Sequence, residues 1–310
     1  MAIPTLSLDL GNTAVKWRLR VGRTVRQGRV LHGKTAVADL MADAFRHTQP
    51  SRLVDRYSNW SLAYSAVAHP TKVDAILGPL ERCLETRGHG LRPERRLVLG
   101  TSSGAFTVVC GYRKPAELGA DRWAAIVGLV QHAHRLADKA EAAQTQMSLW
   151  LVSAGTATVV DLVDVCWDGE ASAPGSLATF SFRGGAILPG IGLTQQALAA
   201  ATGALADYMP GVGQPLRPLR LRGVPQGARE AIVYGLAAAQ SSSLLTLPWP
   251  TGVVVHGGYG NDWLRYFRSV LRAYAPLSGR ISGPLPFFVK APDLVLDGVE
   301  QWSKARRSLG

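Results

Sequence analysis

A chain of 310 residues has room for two domains of ordinary size, each with its own core, and 47% hydrophobic against 18% charged residues is a folded, globular composition. No apolar run reaches the roughly 20 residues that span a bilayer, and Asp9 interrupts the opening MAIPTLSLDLGN, so neither a membrane partner nor a signal peptide is expected. The net charge of +12 raises nucleic acid as a partner, but the basic residues are scattered over 92–96, 216–222 and 304–307 without a recognition signature, so none is expected.

The first predicted element, PTLSLDLGNTAVKWRLR, alternates apolar residues, turns at Gly11-Asn12-Thr13 and resumes as strand. Next, GRVLHGKT from Gly28 to Thr35 fits the phosphate-loop pattern G-x-x-x-x-G-K-[ST]. Such a loop follows a buried strand, and the RTVRQ before Gly28 is no buried strand, while RVL inside the pattern reads as one. The expectation is a hairpin edge followed by a helix over TAVADLMADAFRHT, capped by Thr35. AAIVGLVQHAHRLADKAEAAQTQ reads as one helix running into a polar linker around 138–147. Its His132 and His134, two apart, share no helical face and are expected at the surface. The three cysteines, Cys83, Cys110 and Cys166, lie far apart with no C-x-x-C pair, which fits reduced thiols in a cytoplasm and gives no zinc framework.

SLWLVSAGTATVVDLVDV, from Ser148, repeats the opening plan of strand, Gly-Thr turn and strand. Aligning Gly11 with Gly155 sets Asp9 opposite Ser153 and Thr13 opposite Ala157. The basic, proline-rich stretch 210–225 reads as a loop. AIVYGLAAAQSSSLLTL is a long helix, small and apolar on most faces, and so is buried or at a subunit interface. Last, TGVVVHGGYGNDWLRYFRSVLRAY carries a β-branched run into His256-Gly257-Gly258 and a helix beyond it.

Strand–glycine–strand turns offer backbone N–H groups to phosphate with no side chain in the way. An aspartate ending the first strand, Asp9, can hold a phosphate-bound Mg²⁺ directly or through water. Three such turns in order fit an ATP site in a cleft between two similar domains. Ordinary hairpin turns in a glycine-rich chain are the alternative.

GYRKPAELGADRWAAIVGL carries the sharpest signal: Tyr112, Pro115, Leu118, Gly119, Asp121 and Arg122 form Y-x-x-P-x-x-L-G-x-D-R at the mouth of a helix. A carboxylate followed by an arginine suits a base that takes a hydroxyl proton beside a cation that binds an anionic group. The same pair also serves as a plain helix start, where the dipole favours aspartate.

With D-x-G-N-T-x-x-K-W at 9–17, Y-x-x-P-x-x-L-G-x-D-R at 112–122, A-G-T-A at 154–157, G-G-x-I-x-P-G at 184–190 and G-G at 257–258, the chain resembles the type III pantothenate kinases, which include the Bvg accessory factors. The resemblance covers nearly the whole chain. It implies an α/β fold of duplicated ribonuclease-H-like domains, of the acetate and sugar kinase/Hsp70/actin superfamily, here spanning 1–142 and 148–310. It also implies ATP-dependent phosphorylation of pantothenate, the first step toward coenzyme A, in a cytoplasmic homodimer. Carried over by position, Asp9, Leu10, Gly11, Asn12, Thr13, Ala14, Val15 and Lys16 line the ATP phosphates, with Asp9 at the Mg²⁺, and Thr156 meets ATP in the second turn. Tyr112, Gly119, Ala120, Asp121, Arg122 and Ala228 bind pantothenate, with Asp121 as general base. On this reading GRVLHGKT is a decoy.

Three positions depart from the family pattern. Ser153 stands where many members carry an aspartate associated with a monovalent cation, K⁺ or NH₄⁺. His256 replaces the threonine before the glycine pair, and Ala228 stands where a threonine helps bind pantothenate. The alternatives are an accessory or regulatory protein on the same fold and a kinase of another small alcohol.

Overall fold

The computed structural model describes residues 3–46, 59–101, 104–139, 145–169, 177–209, 224–274 and 284–307. Most of the loop expected at 210–225 and half of the linker at 138–147 lie outside them. The chain divides into two compact units, one comprising Met1–Thr145, Cys166–Phe182 and Leu294–Gly310, the other Gln146–Val165 and Arg183–Asp293.

In the first unit, β1 (Thr5–Leu10), β2 (Ala14–Val21) and β3 (Thr24–Leu31) form an antiparallel meander, followed by α1 (Ala36–Ala44). Next come β4 (Ser61–Ala66), parallel to β1, then α2 (Pro70–Cys83) and β5 (Gly88–Gly90), parallel to β4, completing a sheet of order β3-β2-β1-β4-β5. A hairpin of β6 (Arg96–Thr101) and β7 (Gly104–Cys110) precedes α3 (Ala120–Gly128) and α4 (Ala133–Ala137).

The period-2 pattern of TLSLDL gives the first sheet two unlike faces. Leu6, Leu8 and Leu10 join Trp17, Leu40, Leu62 and Leu80 in an apolar core under α1 and α2. Thr5, Ser7 and Asp9 point the other way, each beside a cation of β2: Arg20, Arg18 and Lys16. A late helix, which becomes α8 below, covers that polar face.

In the second unit, β8 (Gln146–Ala154), β9 (Ala157–Trp167), β10 (Ala178–Pro189), α5 (Ile191–Ala201), α6 (Ala228–Ser242), β11 (Gly252–His256), α7 (Gly260–Tyr274) and β12 (Phe287–Lys290) follow in turn. The ends of β9 and β10 belong to the first unit, where β10 pairs parallel with β7. The order β12-β11-β8-β9-β10, with β11 parallel to both β8 and β12, repeats β5-β4-β1-β2-β3. One ribonuclease-H-like plan is therefore used twice in an α/β fold of two mixed sheets. Trp150, Val152, Val253, Val255, Leu236 and the stacked Trp263–Phe267 pair, 4.9 Å between ring centroids, fill its core.

The chain returns to the first unit in α8 (Leu294–Arg307). Arg18 donates to Asp297 at 2.6 Å, Arg20 grips both oxygens of Glu300 at 3.2 and 3.0 Å, and Ser61 and Ser303 share a hydrogen bond at 3.3 Å. Helix α8 also lies unusually close to α3: a Cβ on Gly298 would overlap the carbonyl oxygen of Ala124, so only glycine fits there.

Three local expectations change. Thr35 sits at the N-cap of α1 but makes no capping bond; its hydroxyl donates instead to the Asp39 carboxylate at 2.8 Å. The helix expected over AAIVGLVQHAHRLADKAEAAQTQ is broken: α3 stops at Gly128, a 3₁₀ turn covers Leu129–His132, and α4 ends at Ala137. His132 is not a bare surface residue, since its Nε2 meets Asp297 Oδ2 at 3.1 Å, whereas His134 is exposed. GRVLHGKT runs from β3 through a turn into α1, with Lys34 exposed, as a hairpin edge and helix should.

Candidate active site

The first unit alone gathers most of the expected residues. Asp9 is the last but one residue of β1, with its side chain 12% exposed, and Nζ of Lys16, its register partner on β2, lies 3.6 Å from Oδ2. Leu10 and Val15 are wholly buried in the apolar core, so they offer a ligand only backbone. Beyond them, His32 Nε2 meets the Gly11 carbonyl at 2.7 Å, Lys72 donates to that of Asn12 at 3.0 Å, and the His32 amide donates to that of Thr13 at 3.3 Å. In a trans peptide the N–H points away from its own carbonyl, so the Asn12 amide points away from His32 and the Thr13 amide away from Lys72. That is a backbone surface suited to an anion.

Asp121 lies in the first turn of α3, whose N-cap is Gly119, and its Oδ1 accepts from the Arg122 amide at 2.8 Å. Burial pushes its carboxyl above the ordinary range, against the amide bond and the charges of Arg122 and Lys16. Arg122 is itself buried, with its guanidinium 5.6 Å from the Tyr112 ring and 5.5 Å from that of Phe182. Both of its terminal nitrogens donate to the Tyr112 hydroxyl at 3.3 Å, and Tyr112 meets Phe182 edge-on at 4.9 Å. Two aromatic walls and a phenol thus hold a desolvated cation, an arrangement that strengthens its pull on an anion.

Two members of this site were not foreseen. Phe182 comes from β10, and nothing in the local sequence ties it to Arg122. Arg95 pins the loop that carries Tyr112 by donating to the carbonyls of Cys110, Tyr112 and Arg113 at 3.0, 2.6 and 2.6 Å. Its only sequence signal was membership of the basic cluster RPERR.

Thr156 and Ala228 belong to the second unit, the former exposed in the β8–β9 turn and the latter the first, exposed residue of α6. Ser153 pairs with His256 across β8 and β11, the counterpart of Asp9 beside Ser65 in the first sheet. Gly257, at φ +93°, lies so close to Ala154 that a Cβ would overlap its carbonyl, which ties the glycine pair to the A-G-T-A turn.

Burial lifts the Asp9 carboxyl from 3.8 to about 6, with Asp121 adding to the rise and Lys16 opposing it. Two desolvated carboxylates within electrostatic reach of each other, with Lys16 the cation acting on both, suit an added cation. No group of three or more His, Cys, Asp or Glu side chains stands ready to hold one among the described residues. This donor set fits Mg²⁺, which is usually bound by one or two carboxylates, water and substrate phosphates.

A raised folded-state pKa means that stability from Asp9 is present below the unfolded value of 3.8 and is lost as pH rises through about 6. At neutral pH the charged group costs the nucleotide-free protein roughly 2–3 kcal/mol. Asp9→Asn is therefore expected to melt higher than wild type near pH 7, the gain shrinking toward zero as pH falls to about 4. Thermal melts of both proteins across that range check it, and a gain independent of pH would refute the assignment.

No helix among the described residues is long and apolar enough to cross a membrane. Fold and site together define an α/β chain in which a strand–glycine–strand turn and a buried carboxylate–arginine pair lie in one unit. The family model described as "Type III pantothenate kinase" matches residues 5–243. The chain is 29% identical to the type III pantothenate kinase of Halorhodospira halophila over 308 residues, 97% of this chain and 99% of that one. It is 30% identical to that of Aromatoleum aromaticum over 241 residues, 77% of each. Among solved structures, a Campylobacter jejuni protein described as a Baf family transcriptional activator aligns with 98% of this chain and 99% of its own, at 16% identity and a TM-score of 0.49. The chain belongs to the type III pantothenate kinase family, whose members are phosphotransferases.

Proposed function

We propose that the protein transfers the γ-phosphoryl group of ATP to the primary hydroxyl of pantothenate, the first step toward coenzyme A. The observation that carries this reading is the convergence of Asp9, Lys16, Asp121 and the Arg122–Tyr112–Phe182 cluster in one unit.

The amides of Asn12, Thr13 and Ala14 and the Lys16 ammonium receive the phosphates. Asp9 would hold a phosphate-bound Mg²⁺, which would supply charge neutralisation on the transferring phosphoryl group. Asp121 accepts the hydroxyl proton as that oxygen bonds to the γ-phosphorus and the bond to the departing ADP oxygen breaks. A pKa raised by burial makes the carboxylate a better base than one in water. Arg122, on its aromatic support, binds the carboxylate of pantothenate, with Gly119 and Ala120 beside it. Such chemistry depends mostly on positioning and charge stabilisation.

Cytoplasmic location fits the three free cysteines. A homodimer fits the exposed apolar side chains of the second unit, Ile187, Leu193 and Tyr208 among them.

The deciding experiment is coupled ADP release with and without pantothenate. Release that depends on pantothenate supports the kinase. ATP hydrolysis unaffected by it points to another alcohol, and no turnover at all favours the accessory-protein reading.

Ser153 adds a prediction. A carboxylate in a phosphate turn repels nucleotide unless a cation sits between them, and a serine removes both the repulsion and the ion's anionic ligand. Turnover is therefore expected to be the same in Tris buffer and in matched ionic strength of potassium or ammonium. Strong potassium activation of the wild-type protein would overturn this, whereas a potassium requirement gained by Ser153→Asp would support it.

A further inference from the structure

The polar face of β1 and β4 holds two serine hydroxyls that the reaction as described does not use. Ser7 and Ser65 have no exposed surface, and neither Oγ has a hydrogen-bond partner in the structure. A buried hydroxyl without a partner is costly, and the cost is recovered only when a partner arrives. The two differ in what they stand beside. Ser65 is the register partner of Asp9 across the parallel β1–β4 pair, on the same face of the sheet. Ser7 pairs with Ala63, one step further from the phosphate turn.

We propose that Ser65 is a positioning residue for Asp9, its hydroxyl donating to the carboxylate, directly or through one water, when a divalent cation and nucleotide bind. The proposal rests on the ATP reading above. Neighbouring strands lie about 4.8 Å apart, a span that a serine–aspartate hydrogen bond bridges in either way. The Asp9 carboxylate has Lys16 Nζ 3.6 Å from its Oδ2. A cation drawing on one carboxylate oxygen leaves the other in need of a donor to fix the plane of the group, which is how outer partners orient metal ligands generally. Lys16 approaches Asp9 from β2 and Ser65 from β4, so the two flank the carboxylate from neighbouring strands.

The test compares Ser65→Ala with Ser7→Ala, both of which delete a buried, unpartnered hydroxyl while leaving the sheet's apolar face alone. Binding of a non-hydrolysable ATP analogue is followed by calorimetry while Mg²⁺ is varied, and unfolding of the nucleotide-free proteins is followed by melting. Ser65→Ala is expected to need about tenfold more Mg²⁺ for half-maximal nucleotide binding, with a melting temperature equal to or above wild type. Ser7→Ala is expected to match wild type in its Mg²⁺ dependence. Identical Mg²⁺ curves for all three proteins would overturn the proposal and leave the ATP reading standing. A lowered melting point in nucleotide-free Ser65→Ala would assign the hydroxyl a structural role and overturn it too. Wild-type protein that binds no nucleotide at any Mg²⁺ concentration would sink the ATP reading itself, and the Ser65 role with it.

Discussion

Asp121→Asn is expected to lower kcat by about 10²–10⁴, the usual worth of general-base assistance, while leaving the affinity for ATP almost unchanged. Asparagine keeps the shape and can still accept the Arg122 amide bond at the start of α3. What it cannot do is take the hydroxyl proton. The raised pKa of Asp121 gives a second signature. The carboxyl must be ionised to act, so kcat/KM for the wild type should fall on the acid side at a pH above the ordinary aspartate range, and that limb should vanish in the variant. Steady-state rates at saturating ATP across pH read both effects. An Asp121→Asn enzyme that keeps most of its kcat would remove this residue from the proton transfer.

Arg18→Met is expected to destabilise the protein by about 3–5 kcal/mol, because it removes a cation shared by two buried carboxylates and leaves Asp297 to His132 and Glu300 to Arg20 alone. The Arg18 side chain is only 7% exposed, 2.6 Å from Asp297 and 3.7 Å from Glu300, whose side chain is 3% exposed. Methionine matches the length of the stem and supplies no charge. Asp297 sharpens the test. Burial pushes its carboxyl up, but hydrogen bonds and charges from His132 and Arg18 outweigh burial and hold it below the ordinary value. A depressed folded-state pKa contributes stability that is present above the unfolded pKa and is lost as pH falls through the folded one. The wild type should therefore lose stability on acidification below about pH 4, and Arg18→Met should lose less. Denaturant unfolding at neutral and acid pH measures the difference, and a variant within about 1 kcal/mol of wild type at neutral pH would mean the network is solvated.

Asp9, Asp121 and the repeated strand–turn–strand plan were legible because their signals are local. A glycine turn after an apolar strand, or an aspartate in a helix's first turn, needs no knowledge of distant chain. The break of the helix at Gly128 was marked by that glycine, which the apolar spacing around it outweighed. His132 is a different failure. Its partner Asp297 is 165 positions away, and nothing near a histidine in sequence announces a carboxylate brought to it by another helix. Phe182 and Arg95 share that difficulty. Ser65 was closer to being readable: SLAYSA sets Ser61, Ala63 and Ser65 at every second position, as TLSLDL sets Thr5, Ser7 and Asp9, the mark of a sheet with a polar second face.

The close fit of Gly298 against Ala124 bears on how the protein is made. Helix α8 seals the polar face of a sheet whose first strand begins at Thr5, and it abuts the helix that carries Asp121. On the ribosome nearly all of the second unit is synthesised between those two parts. Until residues 294–307 emerge, Arg18 and Arg20 lack their carboxylates and α3 lacks the neighbour that holds it. The nascent chain thus presents a half-covered, cationic surface for most of its translation, and the side of α3 that Gly298 meets stays open until the last residues are made.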